Sequence, residues 1–404
     1  MDSFTIRKLT TDASDLAQYN ALLRYAFQIT NEDLSRVGWD EEEIRDAKYP
    51  ILDRATVWGW FDEEMLVSQI SLYPMHVNIH GKIFDMAGVT GVATYPECSG
   101  KGLMKQLILR SLEEMRTCNQ SISFLYPYSI PYYRRMGWEI ISDKMRYTLK
   151  DTQLPKTVPS SGYVERVATD HEDYIQLHNT FAKKRHGCLI RDALAWEEYW
   201  RWEVDDIIVA LYYDAQDKPK GYLVYLLENE IFKIKEMVAL DEEARHGLWN
   251  YVSAHFSMVQ EVSGAQYTNE PLAFLLEDSE IRETIRPYFM ARIVDVASFL
   301  KNYPFQLPEK EGAICFCVTD PMAEWNNDCF AVSWDLEKKV FHCEKGKPHG
   351  KKVDVDIQTL TTMLMSYKRP TYLRRIERLA VGEETLQLLE QLVPQEEPYF
   401  SDYF

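Results

Sequence analysis

Apolar positions along this chain alternate between two periods, and the changes of period divide it into segments. Over residues 14–27, Leu16, Tyr19, Leu22, Leu23 and Phe27 recur at the spacing of one helix face. Residues 40–47 read as a short, charged helix. From Thr56 the period drops to that of strands. VWGWF turns at Asp62-Glu63-Glu64 into MLVSQISLYPMHVNI, which turns at His80-Gly81-Lys82 into IFDMAGVTGVAT. Met75, Val77 and Ile79 alternate with His76, Asn78 and His80, so one face is buried and the strands pair antiparallel. Pro96-Glu97-Cys98-Ser99-Gly100-Lys101-Gly102 then opens a helix with the stripe Leu103, Leu107, Ile108, Leu112 and Met115. SISFLYPYS predicts another strand, and residues 140–148 one more.

The prolines and glycine of LKDTQLPKTVPSSG mark a linker, after which the texture repeats. Helices over 172–185 and 193–204 precede the strands IIVALYYD and GYLVYLL. IKEMVALDEEARHGLWNYVSAHF aligns with GVATYPECSGKGLMKQLIL, setting Val238-Ala239 on Val92-Ala93 and Gly247-Leu248 on Gly102-Leu103. This predicts a degraded second copy whose loop keeps only Gly247 and carries Asp241, Glu242 and Glu243. A third region starts near Met290 with ARIVDVASFLKNYPF, a strand feeding a helix. The strands AICFCVTD, FAVSWDL and KVFHCEKG follow, then VDVDIQTLTTMLMSY, the helix GEETLQLLEQLV and the tail PYFSDYF. The expected fold is mixed α/β (α+β) in three parts, 1–150, 151–289 and 290–404.

Composition narrows the function classes. A chain of 404 residues, 46% apolar and 27% charged, is an ordinary globular protein of two or three domains. Its 45 Lys and Arg against 63 Asp and Glu give a net charge of −18. Such a surface repels phosphate backbones, so nucleic acid is not an expected partner, and it favours cationic small molecules or basic peptides. MDSFTIRKLTTD has no secretory pattern, and no window is apolar enough to span a membrane. The seven cysteines (Cys98, Cys118, Cys188, Cys315, Cys317, Cys329, Cys343) are scattered, which fits reduced thiols in the cytoplasm. No His/Cys spacing matches a zinc site, so no metal is expected.

The loop at residues 99–104 is the first candidate for chemistry. Where a strand stops at a glycine loop and opens a helix, unpaired N–H groups and the helix dipole converge on one point suited to phosphate. The Walker spacing is absent, and the loop lies too far along the chain for a dinucleotide fingerprint. Here GVATYPECSGKGLMKQLI resembles the acetyl-CoA signature of the GNAT N-acetyltransferases. Together with SIPYYRRMGWE and the terminal SDYF, the whole chain resembles the Eis-type (enhanced intracellular survival) family. The resemblance implies two GNAT-like domains in tandem, the second without a cofactor site, followed by a sterol-carrier-protein-like domain. It implies hexamers built from two trimers. It places Val92, Ala93 and Thr94 along the pantetheine arm of acetyl-CoA, and Gly100, Lys101, Gly102, Leu103, Met104 and Lys105 around the pyrophosphate. Tyr128 and Ser129 would pass the thioester. Ser99 stands where the family usually has Arg or Gln, and Met104 where it often has a small residue.

Acetyl transfer to an amine requires that the amine lose a proton and the departing thiolate gain one, while N–H groups stabilise the charged oxygen. The resemblance assigns the acid to Tyr133, with Tyr132 an adjacent and chemically identical rival. It assigns the base to the free carboxylate of Phe404, with Asp402 a nearby alternative. Four aromatics in the last seven residues favour a docked tail over a frayed one. Cys98 has no basic neighbour in sequence to activate it. Asp40-Glu41-Glu42-Glu43 reads as a solvated helix face, or as one wall of a polycation pocket. The implied activity is direct acetylation of a primary amine on a cationic acceptor: an aminoglycoside, a polyamine or lysine. The alternative is a hydrophobic-ligand carrier or scaffold with a vestigial transferase.

Overall fold

A computed structural model describes residues 4–266 and 272–404. Its first sheet runs in the order Phe4–Lys8, Thr56–Asp62, Met65–Ile79, Lys82–Thr94, Ile122–Leu125, Met290–Ile293 and Glu139–Ile140, with Leu189–Ile190 pairing onto Met65–Ile79. The long hairpin forms where the sequence pattern predicts it, and Ala13–Ala26 forms the first helix. Lys82–Thr94 and Ile122–Leu125 are parallel, joined by the crossover helix Leu103–Thr117. That helix buries Leu103, Leu107, Ile108, Leu112 and Met115, the stripe read from the sequence.

The second sheet repeats this plan in the order Arg282–Pro287, Asp143–Lys150, Glu261–Gln266, Ile231–Ala239, Pro219–Glu228, Ile208–Tyr213 and Tyr163–Val167. Its parallel pair, Ile231–Ala239 with Glu261–Gln266, is again joined through a helix, Glu242–Ser253. The third region carries a four-stranded sheet, Val340–Lys345, Cys329–Asp335, Gly312–Thr319 and Lys351–Asp356. Among the described residues no helix is long and apolar enough to cross a membrane.

Three expectations change. Asp143–Lys150 pairs within the second sheet and Met290–Ile293 within the first, so sheet membership crosses the divisions drawn at 150 and 289. Backbone pairing, which no local pattern encodes, decides this. Gly247 lies inside the helix Glu242–Ser253 and not in a loop, and a Cβ there would meet the Tyr212 ring at 2.2 Å. Its place in the sequence reflects packing against Tyr212. Cys317 and Cys329, directly opposite in neighbouring antiparallel strands, form a disulfide where reduced thiols were expected. The Cys315, Cys317 and Cys329 sulfurs lie within 4.8 Å of one another, and the disulfide engages two of the three.

The terminal segment is docked between the parts. Tyr399 N–H donates to the His186 carbonyl at 2.7 Å, and a Cβ on Gly187 would come within 2.8 Å of Pro398 and Tyr399. Phe400 packs against Phe289 and Phe124 at ring distances of 4.3 and 5.4 Å. Arg191 donates to Asp402 at 2.6 Å and to Glu236 at 2.9 and 3.2 Å, all three side chains being buried. Tyr199 O–H also donates to Glu236, at 2.9 Å. Against the cost of burial, the guanidinium draws Glu236 down to about 2, while burial and the Glu236 charge raise the Asp402 carboxyl. Replacing Arg191 with Leu strands two buried carboxylates, so Arg191→Leu is expected to lower the unfolding free energy by about 3–5 kcal/mol. Urea unfolding measures it, and a loss below about 1 kcal/mol, the scale of an exposed pair, would contradict the account.

Candidate active site

The splayed parallel pair positions the site. Pairing between Lys82–Thr94 and Ile122–Leu125 ends at Val89 and Leu125, yet the first strand runs on to Thr94. Beyond that point it faces a cavity of about 1200 Å³ instead of a neighbouring strand. A bulge opposite Gln69–Ser71 reorients the strand at the same place, with Gly91 at φ +58°. Val92, Ala93 and Thr94 line the cavity, as do Gly100, Gly102, Leu103, Met104 and Lys105. Gly102 precedes the helix with φ +79°, a left-handed turn that side chains resist, and no side chain caps the helix N-terminus. Its first-turn N–H groups are therefore left for a ligand.

Tyr128, Tyr132 and Tyr133 sit across the same cavity. The helix Ile130–Arg135 buries Tyr133, whose ring lies 5.2 Å from Tyr132 and 5.8 Å from Tyr128. Burial, then the two neighbouring tyrosines, push its hydroxyl well above the usual range, so it stays protonated. Tyr132 is half-buried under Arg135 and is raised less by burial. Two expected residues fall outside the lining. Lys101 turns away, its Nζ over the Phe4 ring at 5.0 Å and 3.9 Å from the Cys98 sulfur. Ser129 precedes the helix Ile130–Arg135 without capping it by its side chain.

Phe404 lines this cavity together with Tyr403. Its ring fills the space left by Gly88, where a Cβ would lie 2.9 Å from it, and it packs on Phe289 at 5.2 Å. Tyr403 and Phe404, with Phe27, Thr90 and Gly91, also line a second cavity of about 510 Å³ on the other side. That cavity lies among Tyr19, Arg24, Lys48 and Tyr73 of the first part and Glu198 and Trp202 of the second. Asp402, the alternative carboxylate, is spent on Arg191 and lines neither cavity. Asp40 caps its own helix, and of the acidic run only Glu41 makes an ion pair among the described residues, with Arg24 at 3.2 Å. The acidic run is thus a solvated face. Nothing in the sequence pattern marked Lys48, Tyr126 or the helix end at 25–28 as lining residues; they come from separate elements that only folding assembles.

Residues 5–141 and 187–293 each match an acetyltransferase (GNAT) domain, and residues 296–401 match a sterol carrier protein domain. The chain carries two acetyltransferase (GNAT) domains in tandem, followed by a sterol carrier protein domain. Solved structures similar to this GNAT protein include a probable N-acyltransferase from Enterococcus faecalis, 25% identical, with 99% of each chain covered and a TM-score of 0.88. A GCN5-related N-acetyltransferase from Anabaena variabilis is 23% identical over 99% of this chain and 100% of its own, at 0.86. Eis1 from Mycobacterium abscessus is 17% identical over 99% and 100%, at 0.79. No curated protein sequence matches the chain. GNAT domains use acetyl-CoA as co-substrate, and the unpaired strand edge, open helix N-terminus and large cavity of this GNAT protein suit such a ligand.

A side chain at position 88 competes with the terminal ring for one volume. Gly88→Val is expected to expel Phe404, so that carboxypeptidase removes Phe404 and Tyr403 at least about tenfold faster than from the parent protein. Equal release rates would show that the ring is not seated on Gly88.

Proposed function

We propose that the enzyme transfers acetyl directly to a primary amine, without an acetyl-enzyme, using Tyr133 as acid and the Phe404 carboxylate as base. The observation that carries this reading is the sharing of Phe404 between the two cavities, with Tyr133 in the larger one. Acetyl-CoA supplies the activated acetyl group. The unpaired edge at Val92, Ala93 and Thr94 offers main-chain hydrogen bonds to an extended arm, in the manner of an added strand. The turn from Gly100 to Lys105 offers N–H donors to the pyrophosphate, with Lys105 adding charge.

Proton handling divides between the two sides. Tyr133, kept protonated by burial, is in the state an acid must start from, and its hydroxyl gives a proton to the leaving sulfur. The Phe404 carboxylate accepts the proton of the incoming amine. Because it is a main-chain group, its place depends on the seating of the last few residues. Tyr132 shares the cavity but is more exposed, which favours its neighbour as the acid. In the second domain Asp241 accepts from Ala244 N–H and so closes the helix N-terminus, supporting the view that this copy binds no acetyl-CoA. A cytoplasmic homo-oligomer, hexameric by the family resemblance, completes the proposal.

Release of CoA in the presence of amines tests the assignment. Tyr133→Phe and deletion of Phe404 should each lower kcat by about 100-fold or more while acetyl-CoA binding, read by calorimetry, stays within about threefold. Tyr132→Phe should leave kcat within a few-fold. Full turnover in the Tyr133 variant would move the acid to another residue; full turnover without Phe404 would remove the terminal base.

A further inference from the structure

The smaller cavity, which in the acetyltransferase reading receives the amine, has a charge character unlike that of the whole chain. Although the net charge is −18, the cavity is lined by Arg24, Arg36 and Lys48 against two acidic side chains, Asp33 and Glu198, and the Phe404 terminus, whose carboxylate the reading above reserves for the amine. Both acids are already engaged. Asp33 closes the capping box with Thr30, and Glu198 pairs with Arg201 at 2.6 Å. Arg24 is shared with Glu41 and Asn31. Lys48 differs from these. It is only 6% exposed, and among the described residues its Nζ makes no hydrogen bond or ion pair; the Trp202 ring lies 5.0 Å from Nζ.

Burying a cation with no anion in contact is costly, and burial and the Arg201 charge lower the Lys48 amine to about 7, with Glu198 opposing them. An anion entering the cavity would relieve that cost. One buried cation balances a monoanion, whereas a phosphate dianion would need a second buried positive group. We propose that the acceptor carries a carboxylate in addition to its amine, and that Lys48 binds that carboxylate while the amine meets Phe404. This rests on the acetyltransferase reading above and specifies its substrate class: an ω-amino acid or an amino-acid-like amine, in preference to a polycation. Glu198 and Trp202 give the second domain a part in this selection, since both line the same cavity.

Three amines of one length but different tails test it: aminocaproate, hexylamine and hexamethylenediamine. Wild-type kcat/KM should favour aminocaproate over the diamine by at least about tenfold. Lys48→Met should bring that ratio close to unity, chiefly through KM for aminocaproate, and Lys48→Arg should largely restore it. A second measurement needs neither turnover nor a variant. Because Lys48 lines the cavity, acetic anhydride is expected to reach its amine there at neutral pH, and labelling is read by mass spectrometry relative to the exposed Lys338 in the same digest. Aminocaproate should protect Lys48 at a concentration at which the diamine and hexylamine do not. Equal protection by all three, protection by none, or a wild-type preference for the diamine would overturn the proposal. If no amine is acetylated yet aminocaproate alone protects Lys48, the acetyltransferase reading with these acceptors falls and the anion site stands.

Discussion

The arrangement turns on one buried guanidinium. Arg191 enters from the second part of the chain, and its two carboxylate partners come from elsewhere: Glu236 on a strand of the second sheet, Asp402 in the terminal tail. Transferring three charged groups out of water is expensive, and the geometry recovers that cost only when all of them are in register. Two carboxylates on one cation leave a residual negative charge, visible in the opposite displacements of Glu236 and Asp402. A tail fixed at Asp402 has its end fixed two residues further on. Chain termini ordinarily fray; this one is pinned by an ion pair and clamped by the rings of Phe289 and Phe124. A group without a side chain of its own, the last main-chain carboxylate, thereby gains a defined position.

The same economy appears in how the three parts share structure. The strand Met290–Ile293 completes the first sheet although it opens the third region, and Asp143–Lys150 leaves the first region to join the second sheet. Arg201 of the second part donates to the Ala47 carbonyl, and Trp39 Nε1–H donates back to the Arg201 carbonyl at 2.9 Å. These contacts hold the short helices of the first part against the second. The second GNAT copy, with its helix N-terminus capped by Asp241, contributes Glu198 and Trp202 to the lining of the smaller cavity.

Much of this was legible along the chain. Antiparallel strands, the crossover helix and its buried stripe followed from local periodicity, because alternation and the 3.6-residue repeat are properties of the backbone itself. The glycine turn before Leu103 was equally readable, since a left-handed turn restricts residue type. Val92 to Thr94, Gly100, Gly102 to Lys105, Tyr128, Tyr133 and Phe404, far apart in the chain, all line one cavity, whereas Lys101 and Ser129 are not among its lining.

The sequence by itself thus determined the elements, the duplication and the type of loop, all of which depend on neighbours a few residues apart. It could not determine that Arg191 meets Asp402, a separation of 211 residues, nor that Gly88 leaves room for Phe404. Neither could it reveal that Cys317 faces Cys329 across two strands, or that Lys48 is buried beside Trp202. Each of these depends on strand register and inter-domain packing, which bring distant segments together through three-dimensional complementarity. Only the tertiary structure decided them, because burial and pairing of charge are properties of a place in the fold and not of a position in the chain.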